Sequence, residues 1–319
     1  MANYRIGDVV RLARRSVGMS QEELAYQAGV ATETISRIES GKHKVTQATY
    51  QKVMEPLNRF LERSYAVCVG RDIEIFEEKR LLEEAELKFE YEKAAEHIRR
   101  LKKSVEDTVA NRQYIMRAEA INNYNRGVIS AEVYVEQLEE ALGLTITDYR
   151  EHMTYKEYSE DGYPFTEQEI LILMNLAGAF DECDLPEKAI EISRLLLDCL
   201  KSGYIAGEDI GNLALVIKRN LTFSFQRQGR YEEAVLLSLE VLEEALKCKY
   251  GLMISFVLYD ITWSMEHINK ISIENKYNWN EIKRKKRQAY YIAAARNDDY
   301  IKKFIKESFE RLFHEKIEL

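Results

Sequence analysis

The chain has 319 residues, of which 14 are Gly and 3 are Pro, and 31% of it is charged. Strands and their turns consume Gly and Pro, so this scarcity argues against a β-sandwich, a barrel or a Rossmann sheet; a hydrophobic content of 46% excludes wholesale disorder. The formal net charge of −8 argues against a uniformly nucleic-acid-binding surface, yet residues 1–65 carry 10 basic and 7 acidic side chains, a basic head on an acidic body.

In the head, Ile6, Val9, Val10 and Ala13 fall at i, i+3, i+4 and i+7, one apolar stripe on a first helix. Gly18 is its C-terminal stop. Ser20-Gln21-Glu22-Glu23 reads as a capping box: the Ser20 hydroxyl accepts from the Glu23 backbone N–H while the Glu23 carboxylate reaches back. Met19 and Leu24 flank it as a hydrophobic staple requires. A second helix therefore runs from Ser20 to Gly29, and a third from about Thr32 to Ser40, closed by Gly41. Two short helices across a tight Gly-containing turn make a helix-turn-helix, whose second helix fits the DNA major groove.

Ser20-Gln21-Glu22-Glu23-Leu24-Ala25, Ala28-Gly29-Val30 and Thr34-Ile35-Ser36-Arg37-Ile38-Glu39-Ser40-Gly41-Lys42 together resemble the phage-repressor-like (XRE, Cro/C1) helix-turn-helix family. The resemblance implies a five-helix DNA-binding domain within residues 1–65. It implies that Gln21 contacts phosphate, that Thr32, Glu33, Thr34 and Arg37 read bases, and that Lys42, His43 and Lys44 meet phosphates from the next loop. Arg14 and Glu39 match the family's structural ion pair. Ala31 stands where the family has Ser or Thr, so the recognition helix lacks a side-chain cap, at a cost of about 1 kcal/mol. Glu33 is an acid at a base-reading position, suited to a cytosine amino group. The alternative, a helical bundle used only for dimerisation, has no need of polar Gln21, Thr32, Thr34 and Arg37.

From residue 66 onward the pattern is helix after helix. Two segments align without gaps at an offset of 45. Asn175-Leu176-Ala177 leads to Phe180, Asp184 and Pro186-Glu187-Lys188-Ala189; Asn220-Leu221-Thr222 leads to Phe225, Gly229 and Tyr231-Glu232-Glu233-Ala234. Each is a helix, a tight turn and a second helix with an early Ala. These resemble tetratricopeptide repeats, with weaker copies at 72–104 and 111–142 and a degenerate pair from Gly251. The resemblance implies an all-α architecture, the head followed by a right-handed tetratricopeptide-repeat superhelix over 66–319, with first helices lining a concave surface. On those helices Asn175, Asn220, Arg219, Asp181 and Gln226 are candidates for holding a peptide, since an Asn side chain offers both donor and acceptor to an extended backbone. Repeat consensus, with Asn bonding between neighbouring helices, is the competing reading. Leu171, Val216 and Phe223 are candidate apolar pockets or core.

The domain order resembles the Gram-positive peptide-pheromone regulators grouped as RRNPP, in particular the Rgg/PlcR branch. That family implies a cytoplasmic homodimer on a pseudo-palindromic operator, switched by a short signalling peptide. The alternatives are a repressor whose repeats serve only as a dimerisation or protein-binding scaffold, and a peptide-regulated hydrolase. Nothing in the sequence points to a cofactor, a metal or catalysis: His43, His97, His152, His267 and His314 are dispersed, Cys68, Cys183, Cys199 and Cys248 are single, and there is no Gly-rich phosphate loop. No apolar run approaches the ~20 residues of a membrane span, and the first residues lack a signal-peptide pattern. The basic run Lys283–Arg287 reads as a solvated helical face.

Overall fold

The computed structural model describes residues 6–16, 18–42, 46–57, 73–146, 165–201, 210–248 and 250–318. Among them there is no strand. Fifteen α-helices follow in order: α1 (Ile6–Ser16), α2 (Gln21–Ala28), α3 (Thr32–Glu39), α4 (Gln47–Met54), α5 (Ile73–Leu87), α6 (Tyr91–Ser104), α7 (Val109–Asn125), α8 (Ala131–Gly143), α9 (Glu167–Glu182), α10 (Pro186–Lys201), α11 (Ile210–Arg227), α12 (Tyr231–Lys247), α13 (Gly251–Ile271), α14 (Trp279–Ala295) and α15 (Asp299–Phe313). A 3-10 turn, Glu55–Leu57, follows α4.

The punctuation of the head explains its helices. Ser20 Oγ accepts from the Glu23 N–H at 3.1 Å, and the Ser20 N–H donates to Glu23 at 2.7 Å, closing the capping box. Gly29 ends α2 at φ 61°, a left-handed position that a Cβ disfavours. Ala31 starts α3 without a side-chain cap bond. Val10, Ala13, Leu24, Ile35, Ile38, Val53 and Leu57 are buried together, with Met19 packed against them. Gly7 lets α1 cross α3 closely, since a Cβ there would stand 2.1 Å from the Ile38 carbonyl oxygen.

From α5 onward the helices come as pairs, and the turns before α6, α10, α12 and α15 share a device. The residue two places before the second helix adopts a positive φ: Phe89 at 59°, Asp184 at 56°, Gly229 at 72° and, before the last helix, Asn297 at 56°. In the Gly229–Ala234 junction this position is Gly; in Phe89-Glu90-Tyr91-Glu92-Lys93-Ala94 the same backbone is imposed on a bulky residue. Local preference is overridden there by the packing of the pair.

The chain divides into two compact units, Met1–Cys183 with Arg194–Gly207, and Asp184–Ser193 with Glu208–Leu319. In the first, the head and the early helix pairs form one body. The Arg15 guanidinium, 7% exposed, lies 3.2 Å from Glu169 and donates to the Thr145 carbonyl at 3.1 Å. Glu169 is fully buried and also closes the Thr166 capping box that starts α9. Val109, the first residue of α7, presses on Gly18. In the second unit, α11 meets α13 and α13 meets α15, so first helices of successive pairs lie side by side. The expected boundary at residue 65 lies outside the described residues.

Candidate functional site

The head places its charged residues in two layers. Underneath, Glu39, 3% exposed, accepts from Arg14 Nε at 2.7 Å and Arg14 Nη2 at 3.0 Å. The Arg14–Glu39 pair thus forms, and it ties α1 to α3. Gln21 joins it: its amide donates to Glu39 Oε2 at 2.7 Å. In this structure the Gln21 side chain therefore braces α3 from the start of α2. Above this layer, Glu33 and Arg37 are exposed and Thr32 and Thr34 half-buried on α3, with Lys42 exposed beyond it. The side chains of these five make no hydrogen bond or ion pair among the described residues. His43 and Lys44 lie outside the described residues.

Asn175 and Asp181 belong to the first compact unit, Arg219, Asn220 and Gln226 to the second. Asn175 Oδ1 accepts from Arg117 Nη1 of α7 at 3.3 Å, and Arg117 also lies over the Tyr114 ring at 5.8 Å. Near Arg117, burial raises the Glu86 carboxyl above its ordinary value, against the pull of that guanidinium. Asp181 is 2% exposed and so faces no open groove. Asn220 is half-buried, and its backbone carbonyl accepts from Ser224 Oγ at 3.3 Å.

Arg219 and Gln226 come together in a cleft of about 420 Å³ among α11, α13 and α15. Its walls are aromatic: Phe223, Phe256, Tyr259, Trp263, Tyr300 and Phe304. Asp260 lies within it and takes Arg219 Nε at 2.8 Å. Gln226 Nε2 donates to Ser264 Oγ at 2.8 Å and to the Asp260 carbonyl at 3.2 Å. Burial pushes the Asp260 carboxyl up from its ordinary value, and Arg219 opposes that rise. Arg219 is also stacked over Phe256, 4.7 Å from the ring centre. A concave, mostly apolar site with a few converging polar groups is the ordinary form of a ligand pocket.

The basic run on α14 differs from the solvated face its composition suggests. Lys286 is fully buried, donating to Glu266 at 3.0 Å and Ser308 Oγ at 2.8 Å. Lys283 and Arg287 pair with Glu315. A run of like charges says nothing about rotation, and here the helix turns one lysine into the core. No described residues form a group of three metal-ligating side chains, and no described helix is long and apolar enough to cross a membrane.

A sequence model of the helix-turn-helix family matches residues 10–59. The head is a helix-turn-helix domain. The fold beyond it is similar to that of PlcR from Bacillus thuringiensis. Against PlcR in complex with the peptide PapR7 and DNA, identity is 17% and the TM-score 0.60, covering 94% of this chain and 98% of that one. Against the apo form, identity is 17% and the TM-score 0.55, covering 94% and 97%. No curated protein matches the chain.

Sequence reasoning missed most of the cleft in the second compact unit. Phe256, Tyr259, Asp260 and Trp263 fall at i, i+3, i+4 and i+7 on α13, so one helical face carries three aromatic rings and a carboxylate. That period is a signal a search for repeat consensus passes over, because the pair starting at Gly251 departs from the consensus.

Proposed function

We propose that the protein is a sequence-specific DNA-binding transcriptional regulator, acting as a cytoplasmic homodimer, whose helical-repeat body binds a short peptide that switches operator binding. The observation that carries this reading is α3: an exposed polar edge on a rigidly braced helix, in a helix-turn-helix domain joined to a body with the fold of PlcR. Arg37 has the reach for a bidentate bond to guanine. In a dimer, two such helices would meet half-sites about 34 Å apart per DNA turn.

The attachment of the head supports the switch. α7 and α9 both hold it, through Val109 at Gly18 and Glu169 at Arg15. The same two helices meet again at Arg117 and Asn175. A ligand engaging that pair acts on the helices that hold the reader. It shifts the equilibrium only as far as its affinities for the two arrangements differ.

The test is an operator selected from random duplexes with the full-length protein, then titrated with and without peptides encoded beside the gene. Binding to one sequence, with affinity changed at least tenfold by one peptide, is expected. Selection that returns no consensus removes the regulator reading; a consensus indifferent to every such peptide leaves the repeats as a scaffold.

A further inference from the structure

The cleft in the second compact unit carries more chemistry than a generic peptide groove needs. Arg219 is fixed in two ways: Asp260 holds its Nε, and the Phe256 ring holds its plane. Its two Nη groups make no hydrogen bond among the described residues. A guanidinium held by one edge, with the other open beside a half-enclosed apolar space, is a preformed fork for a carboxylate. Gln226 has its amide nitrogen committed to Ser264 and Asp260, while its carbonyl oxygen is not bonded among the described residues. That oxygen suits a ligand N–H.

Charge points the same way. Two guanidiniums, Arg219 and Arg227, line the cleft against one carboxylate, Asp260, which Arg219 already engages. Arg227 lies over Phe223, 5.3 Å from the ring centre, and has Asp184 among its partners, at 3.3 Å. The space beside the fork is walled by rings, three of which, Phe223, Tyr300 and Phe304, are 44–52% exposed. Apolar area held open to water next to a fixed charge selects a ligand with both features.

Building on the peptide reading above, we propose that this cleft reads a carboxylate set beside an aromatic side chain of the peptide, with Arg219 as the fork and the rings as the socket. The carboxylate comes either from the peptide's C-terminus or from an Asp or Glu side chain; both present the same planar acceptor.

Three probes separate these sources: N-acetyl-Ala-Ala-Phe as free acid, the same peptide as C-terminal amide, and N-acetyl-Ala-Asp-Phe amide. Each is titrated into the full-length protein carrying Trp279→Phe, so that Trp263 in the cleft reports alone. At least one carboxylate probe should bind about tenfold or more tightly than the neutral amide. The free acid leading identifies the C-terminus, and the Asp probe leading identifies a side chain. Arg219→Lys keeps a cation beside Asp260 but loses the fork, and should reduce the preference to about threefold or less. Arg227→Gln, at an exposed position, should lower it by a smaller factor and tests the charge should Arg219→Lys fail to fold. Equal binding of all three probes, no response to any, or a preference that survives both variants overturns the proposal. The regulator reading fails separately: carboxylate preference with operator affinity unmoved sinks the switch but leaves the fork. An operator response equal for acid and amide does the reverse.

Discussion

The recognition helix and the C-terminal cleft hold their polar side chains in opposite ways. On α3, Glu33 and Arg37 are exposed and uncommitted, and the orienting work is done beneath them by Arg14, Gln21 and Glu39. In the cleft, Arg219, Gln226 and Asp260 are bonded to one another or to their neighbours before any ligand arrives. A duplex is itself rigid and presents fixed base edges, so its reader can stay solvated until contact. A short peptide is flexible and loses freedom on binding, and a preorganised cleft reduces what must be ordered on the protein side. Under the proposed function, the two surfaces differ because a duplex and a short peptide differ in stiffness.

The comparison breaks most sharply at the buried layer of the head. Glu39→Ala removes the acceptor of Arg14 and Gln21 and leaves a nearly buried guanidinium without its carboxylate. The expected cost is about 3–5 kcal/mol, read as loss of amide-exchange protection across α1–α3, with DNA binding lost as a consequence. Arg37→Ala probes the layer above. Exchange protection should be unchanged, while specific binding weakens by about 1–3 kcal/mol and preference at one base pair relaxes. Unaltered discrimination would take Arg37 out of the reading set.

The head and the cleft were unequally legible in the sequence. Head helices announce themselves through local chemistry: the Ser20–Glu23 box, Gly29 and the Ile35–Ile38 spacing are each decided within a few residues. Repeat boundaries were legible for the same reason, since Gly229-Arg230-Tyr231 states its turn outright. The cleft was not, because the contacts of Arg219 with Asp260 and Phe256 span some forty residues and depend on which face α13 turns toward α11. Burial of Lys286 and of Asp181 was hidden likewise: residue type argues for exposure, and only partners such as Glu266 and Ser308 make burial tolerable.

The turn at Phe89 is a milder case of tertiary structure overriding local preference. Its φ of 59° is costly for a residue with a large side chain. Phe89→Gly should raise stability of the first unit by about 0.5–1 kcal/mol. That gain is reduced by loss of the edge contact between Phe89 and Tyr91, whose rings are 6.3 Å apart. Denaturant unfolding decides the sign: a destabilised variant would mean that the ring holds the turn more strongly than the backbone resists it.

The last expected effect is one of slope, at Asp260, where burial and Arg219 act in opposite directions and burial is the larger. Burial raises its carboxyl above 3.8 and Arg219 pulls it back. A carboxyl raised in the folded state holds its proton more tightly there than in the unfolded chain. In the window just above 3.8 the folded form therefore binds more protons, and this group's contribution to stability grows as pH falls. Most native carboxylates have the opposite slope. Asp260→Asn breaks the ion pair with Arg219 as well as removing this contribution, so the variant should be less stable throughout. Unfolding followed as the solution is acidified toward about pH 4 should also show it losing stability more steeply than the native chain. Parallel curves would mean that Arg219 fully offsets the burial, and that the pair stays charged wherever the protein is folded.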